Sequence, residues 1–269
     1  MARVLVFDSG VGGLSISEAI LASDLNHQII FASDNEAFPY GNKPIPELIS
    51  RVYEVLQNLL SHNEIDVLVI ACNTASTVAL PVLRERFPIE IVGVVPAIKP
   101  AALLSKNKQI GLLATPATVK RRYTKELIET FAADCHVDMI GSSELVKLAE
   151  QKLHIGYCDQ SIIERVIQPW LGSDCEIDTV VLACTHFPFL KEEFNKIFHS
   201  YCKSVQWVDS SKGIANRVDY LSKQFSEKSK CDPAKQSTHK AIFTKEENFS
   251  THFQDNLLKN NILDYSFLN

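Results

Sequence analysis

Paired cysteine spacing is missing from this 269-residue chain: it holds seven cysteines, an odd number, and no Cys-x-x-Cys. That argues against a zinc ribbon or a redox dithiol, and leaves free thiols in a reducing cytoplasm as the expected state. No basic-then-apolar leader stands at the amino terminus, and no apolar run approaches the roughly 18 residues that a membrane span needs. A surplus of positive charge is also lacking. The 27 basic residues are scattered among 32 acidic ones for a net charge of −5, which gives no footprint for nucleic acid or an anionic membrane. A small solute is the expected partner. The glycine loop near the start carries no P-loop lysine and has the wrong spacing for a dinucleotide, and no pyridoxal-lysine motif is evident, so no cofactor is expected.

What the chain does have is an internal echo. Asp66-Val67-Leu68-Val69-Ile70-Ala71-Cys72-Asn73-Thr74 is answered by Asp178-Thr179-Val180-Val181-Leu182-Ala183-Cys184-Thr185-His186, with the cysteine six positions after the aspartate in both. Each thiol follows an apolar run of strand length, so each is expected at the carboxyl end of a buried parallel strand, where open α/β sheets bind ligands. A helix precedes each unit, marked by Val52, Val55, Leu56, Leu59 and Leu60 in the first and by Ile163, Val166, Ile167, Trp170 and Leu171 in the second. Pro169 predicts a kink or an early end in the second helix.

Alternating strands and amphipathic helices predict parallel sheets. Strands are expected at 4–7, 29–32 and 89–95, with a loop over 33–44, and the stretch 109–116 opens the second half as 3–10 opens the first. A polar loop or linker is expected from Gln224 to His239, followed by a last strand over 241–244 and a terminal helix.

A cysteine after an apolar strand is by default a small core residue, but two at matched positions suit a reaction that needs one base on each side of a substrate. Asn73-Thr74-Ala75-Ser76 and Thr185-His186 supply donors and helix-cap residues beside the thiols. Asp8, at the end of the first strand, is either a helix cap or a carboxylate that orients a substrate ammonium or assists a thiol. His186 is a structural histidine or a proton partner for Cys184. A zinc site on Cys184 and His186 lacks the second pair needed for four ligands, so no metal is expected. Tyr40-Gly41 is a plain turn or a loop closing on a ligand, and Glu150 is an exposed helix terminus or a site carboxylate.

Together, Phe7-Asp8-Ser9-Gly10-Val11-Gly12-Gly13-Leu14, Pro39-Tyr40-Gly41, Ala71-Cys72-Asn73-Thr74-Ala75-Ser76 and Ala183-Cys184-Thr185-His186-Phe187-Pro188 resemble, in order, the signature blocks of bacterial glutamate racemases. The resemblance runs from Val4 to about Val218. It implies two pseudosymmetric three-layer α/β domains with mainly parallel sheets and an active site in the cleft between them. The expected domains are residues 1–96 with 209–269, and residues 97–208.

The same resemblance implies cofactor-independent racemisation of L-glutamate to D-glutamate, supplying peptidoglycan synthesis in the cytoplasm. Cys72 and Cys184 are then the two acid/base residues, with Asp8, Glu150 and His186 assisting. Asp8, Ser9, Tyr40, Gly41, Asn73, Thr74, Thr115, Thr118, Thr185 and His186 are the implied substrate contacts. The chain departs from the family pattern at Ala183 and Phe187, where glycine and tyrosine are usual, and at Ser142-Ser143, where Cys-Pro is usual before the stretch ending in Glu150. Aspartate or another acidic amino acid is the alternative substrate, and Ser76 favours glutamate because aspartate enzymes tend to carry histidine there. A non-catalytic acidic-ligand binding module is the alternative class. Oligomeric state is open, a homodimer being one arrangement the family allows, and so is control by a cell-wall precursor.

Overall fold

The computed structural model describes residues 2–23, 25–226 and 238–268. Contacts within the chain gather into two units, residues 1–94 with 211–269, and residues 95–210.

The first unit opens with β1 (Arg3–Asp8), α1 (Leu14–Leu21), β2 (Gln28–Ser33), α2 (Ile45–His62), β3 (Val67–Ile70), α3 (Asn73–Arg86) and β4 (Glu90–Gly93). Continuous apolar runs form its strands because both faces of the sheet are covered. Leu5 and Phe7 of β1 turn to one face with Ile30, Ala32, Leu68 and Ile70, and pack there on Val52, Leu56 and Leu59 of α2 and Ala75, Ala79 and Leu83 of α3. Helix α2 starts directly after Pro44 and carries Pro46 in its first turn, where a missing amide proton costs the helix nothing.

The second unit holds α4 (Ile98–Leu104), β5 (Gln109–Ala114), α5 (Pro116–Lys120), α6 (Arg122–Phe131), β6 (His136–Gly141), α7 (Ser143–Ile155), α8 (Gln160–Ile167), β7 (Thr179–Ala183), α9 (Lys191–Ser200) and β8 (Gln206–Val208). Ile110, Leu112, Ala114, Val181 and Ala183 cover one sheet face with α4. On the other face Trp170 packs against Gly111, where a Cβ would stand 3.1 Å from the indole. The indole Nε1–H donates to Asp138 at 2.8 Å. Helix α8 ends at Ile167, and Pro169 sits in a 3-10 turn over Gln168–Trp170, the early end its ring predicts. Helix α7 is capped by the Ser142 hydroxyl, which accepts from the Leu145 amide, and stops at Gly156 with φ 74°.

The chain then returns to the first unit as α10 (Ser211–Ser226), β9 (His239–Phe243), α11 (Thr251–Lys259) and β10 (Ile262–Phe267). Helix α10 packs on α1, β3 and β4. Of the polar stretch expected as a linker, Gln224 to Ser226 are helical and His239 is in β9; residues 227–237, Cys231 among them, lie outside the described residues.

The sheets are ordered β10-β9-β2-β1-β3-β4 and β6-β5-β7-β8, and every pairing is parallel. Four strands of the first sheet, β2-β1-β3-β4, thus repeat as β6-β5-β7-β8. The sequence echo is the copy of β3 and its following turn in β7. Strands β6, β8 and β10 lie outside those expected from the sequence. Each is a sheet edge; β10 exposes Leu263, Asp264, Tyr265 and Ser266, although Leu263-Asp264-Tyr265-Ser266-Phe267 alternates apolar and polar, and the terminal helix expected as the last element is followed by this strand. No helix among the described residues is long and apolar enough to cross a membrane.

Candidate active site

In a parallel sheet whose chain leaves a central strand toward both sides, the carboxyl ends of the strands flanking the reversal form a crevice. In the first unit these are β1 and β3, which end at Asp8 and just before Cys72. Cys72 is 6% exposed and is itself the N-cap of α3, so the cap is the thiol residue rather than Asn73. Its carbonyl accepts from the Ser76 amide at 2.8 Å, and its Sγ lies 3.5 Å from Ser9 Oγ.

Asp8 is buried and is not a helix cap: its Oδ1 accepts from the Ser9 amide at 2.5 Å, the Gly10 amide at 3.3 Å and the Ser9 hydroxyl at 3.2 Å. The helix behind this loop is capped by Gly13, where a Cβ would stand 2.8 Å from Asp8 Cβ and 3.1 Å from its Oδ2. Only glycine permits that approach. Asn73 and Thr74 are buried beside Cys72, and Asn73 Oδ1 has no hydrogen-bond partner among the described residues. A buried acceptor left this way marks a place where a donor from a ligand is stabilising.

Tyr40 and Gly41 form a 3-10 turn whose tyrosine packs in the same core as Cys72. The Tyr40 hydroxyl donates to Asp34 Oδ2 at 2.6 Å, and burial, with the charge of Asp34, drives the phenol pKa well above its usual range. Asp34 also accepts from Arg51 Nε at 2.9 Å, Arg51 Nη2 at 2.5 Å and Thr244 Oγ1 at 2.7 Å. Burial alone would raise this carboxyl; the donors from Arg51, Tyr40 and Thr244 outweigh it and hold Asp34 below the usual carboxylate range. Asp34 is absent from the sequence-based site. Its signal was its place at the carboxyl end of β2, where its amide donates to the Asp8 carbonyl at 2.9 Å.

In the second unit the equivalent strands are β5 and β7, ending just before Thr115 and just before Cys184. Cys184 is 7% exposed. No α-helix follows at once: Thr185 and His186 lead into a 3-10 turn over Phe187–Leu190, and α9 starts after it. His186 is buried, its Nδ1 3.8 Å from Cys184 Sγ and its Nε2 2.5 Å from Glu150 Oε2. Glu150 therefore does not end a helix in solvent. It lies inside α7, which runs five residues further, with its carboxylate turned to His186. Burial opposes the imidazolium, yet the hydrogen bonds to Cys184 and Glu150, with the charge of Glu150, raise the pKa of His186 well above the histidine norm. The ring is thus held protonated between a carboxylate and a thiol.

Thr115 caps α5 by accepting from the Thr118 amide, and the two hydroxyls are 3.0 Å apart and buried. Among the described residues no cluster of histidine, cysteine and carboxylate has a metal-holding arrangement.

Each unit therefore presents one buried thiol at a strand end, with its own polar escort: Ser9 and Asp8 in one, His186 and Glu150 in the other. A family model for Asp/Glu/hydantoin racemases matches residues 15–217. The glutamate racemase of Photorhabdus laumondii is 53% identical over 222 residues, 82% of this chain and 76% of that protein. That of Klebsiella pneumoniae is 50% identical over 218 residues, 81% and 76% of the two. The crystal structure of Escherichia coli glutamate racemase in complex with L-glutamate and the activator UDP-MurNAc-Ala matches with a TM-score of 0.88 at 42% identity, over 99% of this chain and 98% of that one. Paired thiol corners, a duplicated strand order and matches across most of its length place the chain in one group: it belongs to the glutamate racemases of the Asp/Glu/hydantoin racemase family.

Proposed function

We propose that this protein interconverts L- and D-glutamate by passing the α-proton between Cys72 and Cys184, without a cofactor. The observation that carries the reading is the matched placement of the two buried thiols, each at the carboxyl end of the equivalent strand in a repeated β order. In this reading the domains spanning 1–96 with 209–269 and 97–208 offer the thiols to opposite faces of one α-carbon. One sulfur, as thiolate, removes the proton; the other, as thiol, returns one from the far side.

An α-proton of an amino acid is far less acidic than a thiol, so the carbanion-like transition state requires oriented donors and exclusion of water. Ser9, Tyr40, Gly41, Asn73, Thr74, Thr115, Thr118 and Thr185 would supply donors and acceptors to the two carboxylates and the ammonium, with Asn73 Oδ1 an available acceptor for the ammonium. His186, protonated against Glu150, would deliver and recover the proton of Cys184, while Asp8 acts through Ser9 beside Cys72. The D-glutamate would feed peptidoglycan synthesis in the cytoplasm, with the enzyme working alone or as a homodimer.

The test is direct. Purified protein without additives should turn L-glutamate into D-glutamate and exchange the α-hydrogen for deuterium in heavy water, with aspartate as the competing substrate. Cys72→Ala and Cys184→Ala should each abolish interconversion. Full turnover in both variants would reject the mechanism, and ligand binding without any deuterium incorporation would make the protein a binding module.

A further inference from the structure

Two residues beyond Glu150 on the same helix, Lys152 makes three bonds of its own to the segment that follows Cys184. Its ammonium donates at 2.8 Å to the Phe189 carbonyl and at 2.8 Å to each oxygen of Glu193. Glu193, on α9, is 7% exposed. A charged pair this sheltered is a poor source of net stability, because desolvation consumes much of the attraction and a well-packed apolar pair would serve as well. Its particular product is geometry.

Helix α7 packs through Leu145, Leu148, Ala149 and Leu153, apolar contacts that tolerate small slides and rolls. Positions 150 and 152 lie about 200° apart around a helix axis. Bonds at both therefore hold α7 from two sides. Phe189, bonded to Lys152, in turn donates its amide to the carbonyl of His186 at 3.2 Å, so the two anchor points share one short turn.

We infer that Lys152 and Glu193 are positioning residues for the Glu150–His186 pair: they set the register of α7 against the 187–190 turn, and so keep the His186 ring aimed at Cys184. This inference rests on the racemase reading. The charged and titratable groups facing the pair are Cys158 in the loop after α7, and Glu150, His154 and His186 around the neighbouring anchor. Burial pushes the Cys158 thiol up to about 11, so it stays uncharged near neutrality.

Loosening α7 should impair only the Cys184 half of the reaction. The readout is the primary isotope effect on kcat/KM, measured with α-deuterated L- and D-glutamate on the full-length enzyme. Lys152→Met should lower kcat about tenfold with KM changed less than twofold. The isotope effect should rise for the one enantiomer that Cys184 deprotonates and fall for the other. Lys152→Arg, which keeps the cation, should recover most of the loss. Glu193→Gln carries the same test where Lys152→Met does not fold, and Ile163→Val, a core trim in the same unit, serves as the destabilised control with wild-type isotope effects. Isotope effects in Lys152→Met and Glu193→Gln that match the wild-type value for each enantiomer would overturn the inference while leaving the racemase intact. A wild type without glutamate racemisation would instead sink the reading beneath it.

Discussion

His186 stands between a carboxylate and a thiol, and most of its chemistry follows from that neighbourhood. Replacing Glu150 by Gln removes the negative charge that helps raise the imidazole pKa, so that pKa falls and the alkaline loss of kcat should begin at lower pH than in the wild type. A pH–rate profile of Glu150→Gln checks this. His186→Asn takes away the proton carrier itself, and kcat should drop by about 10²- to 10⁴-fold, the usual contribution of a placed acid or base. Asp34 gives a stability prediction of definite sign. Its folded pKa lies below the unfolded value near 3.9, so its contribution is full above that value and is lost as pH falls through the folded one. Asp34→Asn, which strips Arg51 of its sheltered counterion, should cost about 2 kcal/mol in urea unfolding at pH 7. The gap from wild type should shrink below about pH 4.

At the scale of single elements, α7 is defined at both ends by chemistry that the chain states locally. Ser142 caps it and Gly156, left-handed, closes it. Ser142→Ala should lose about 1 kcal/mol, measured by urea unfolding. At Ser142 a hydroxyl stands where the helix needs an acceptor. The loop ahead of α1 follows a different rule. Gly13→Ala forces a methyl into contact with Asp8, and the carboxylate that the Ser9 and Gly10 amides hold must move. Activity should fall more than tenfold while the melting temperature drops by only a few degrees, as for a loss of about 1 kcal/mol. The same clash was invisible in the sequence, which shows a glycine loop but not its distance from Asp8.

Over the whole molecule, the two units have separate sheets and separate cores. Trp170 is buried on the other face of the second sheet, where it covers Gly111 and bonds Asp138. Trp170→Phe removes apolar area and leaves a carboxylate without its donor, at a cost of about 2 kcal/mol. Hydrogen exchange should quicken within 95–210 more than within 1–94 and 211–269. Equal quickening throughout would mean that the units open together.

The amino-acid sequence by itself determined the strands that are buried on both faces, the helices with one apolar stripe, the end of α8 at Pro169 and the pairing of Cys72 with Cys184 as repeats, because these patterns are local and periodic. It did not settle β10, where the short alternation Leu263-Asp264-Tyr265-Ser266-Phe267 becomes a strand because β9 offers it an edge. Nor did it reveal that Glu150 reaches His186 from 36 residues away, that Asp34 gathers Tyr40, Arg51 and Thr244, or that Lys152 meets Glu193. Such contacts depend on how helices settle on a sheet, and the partners of a buried charge are chosen by that packing rather than by their spacing along the chain.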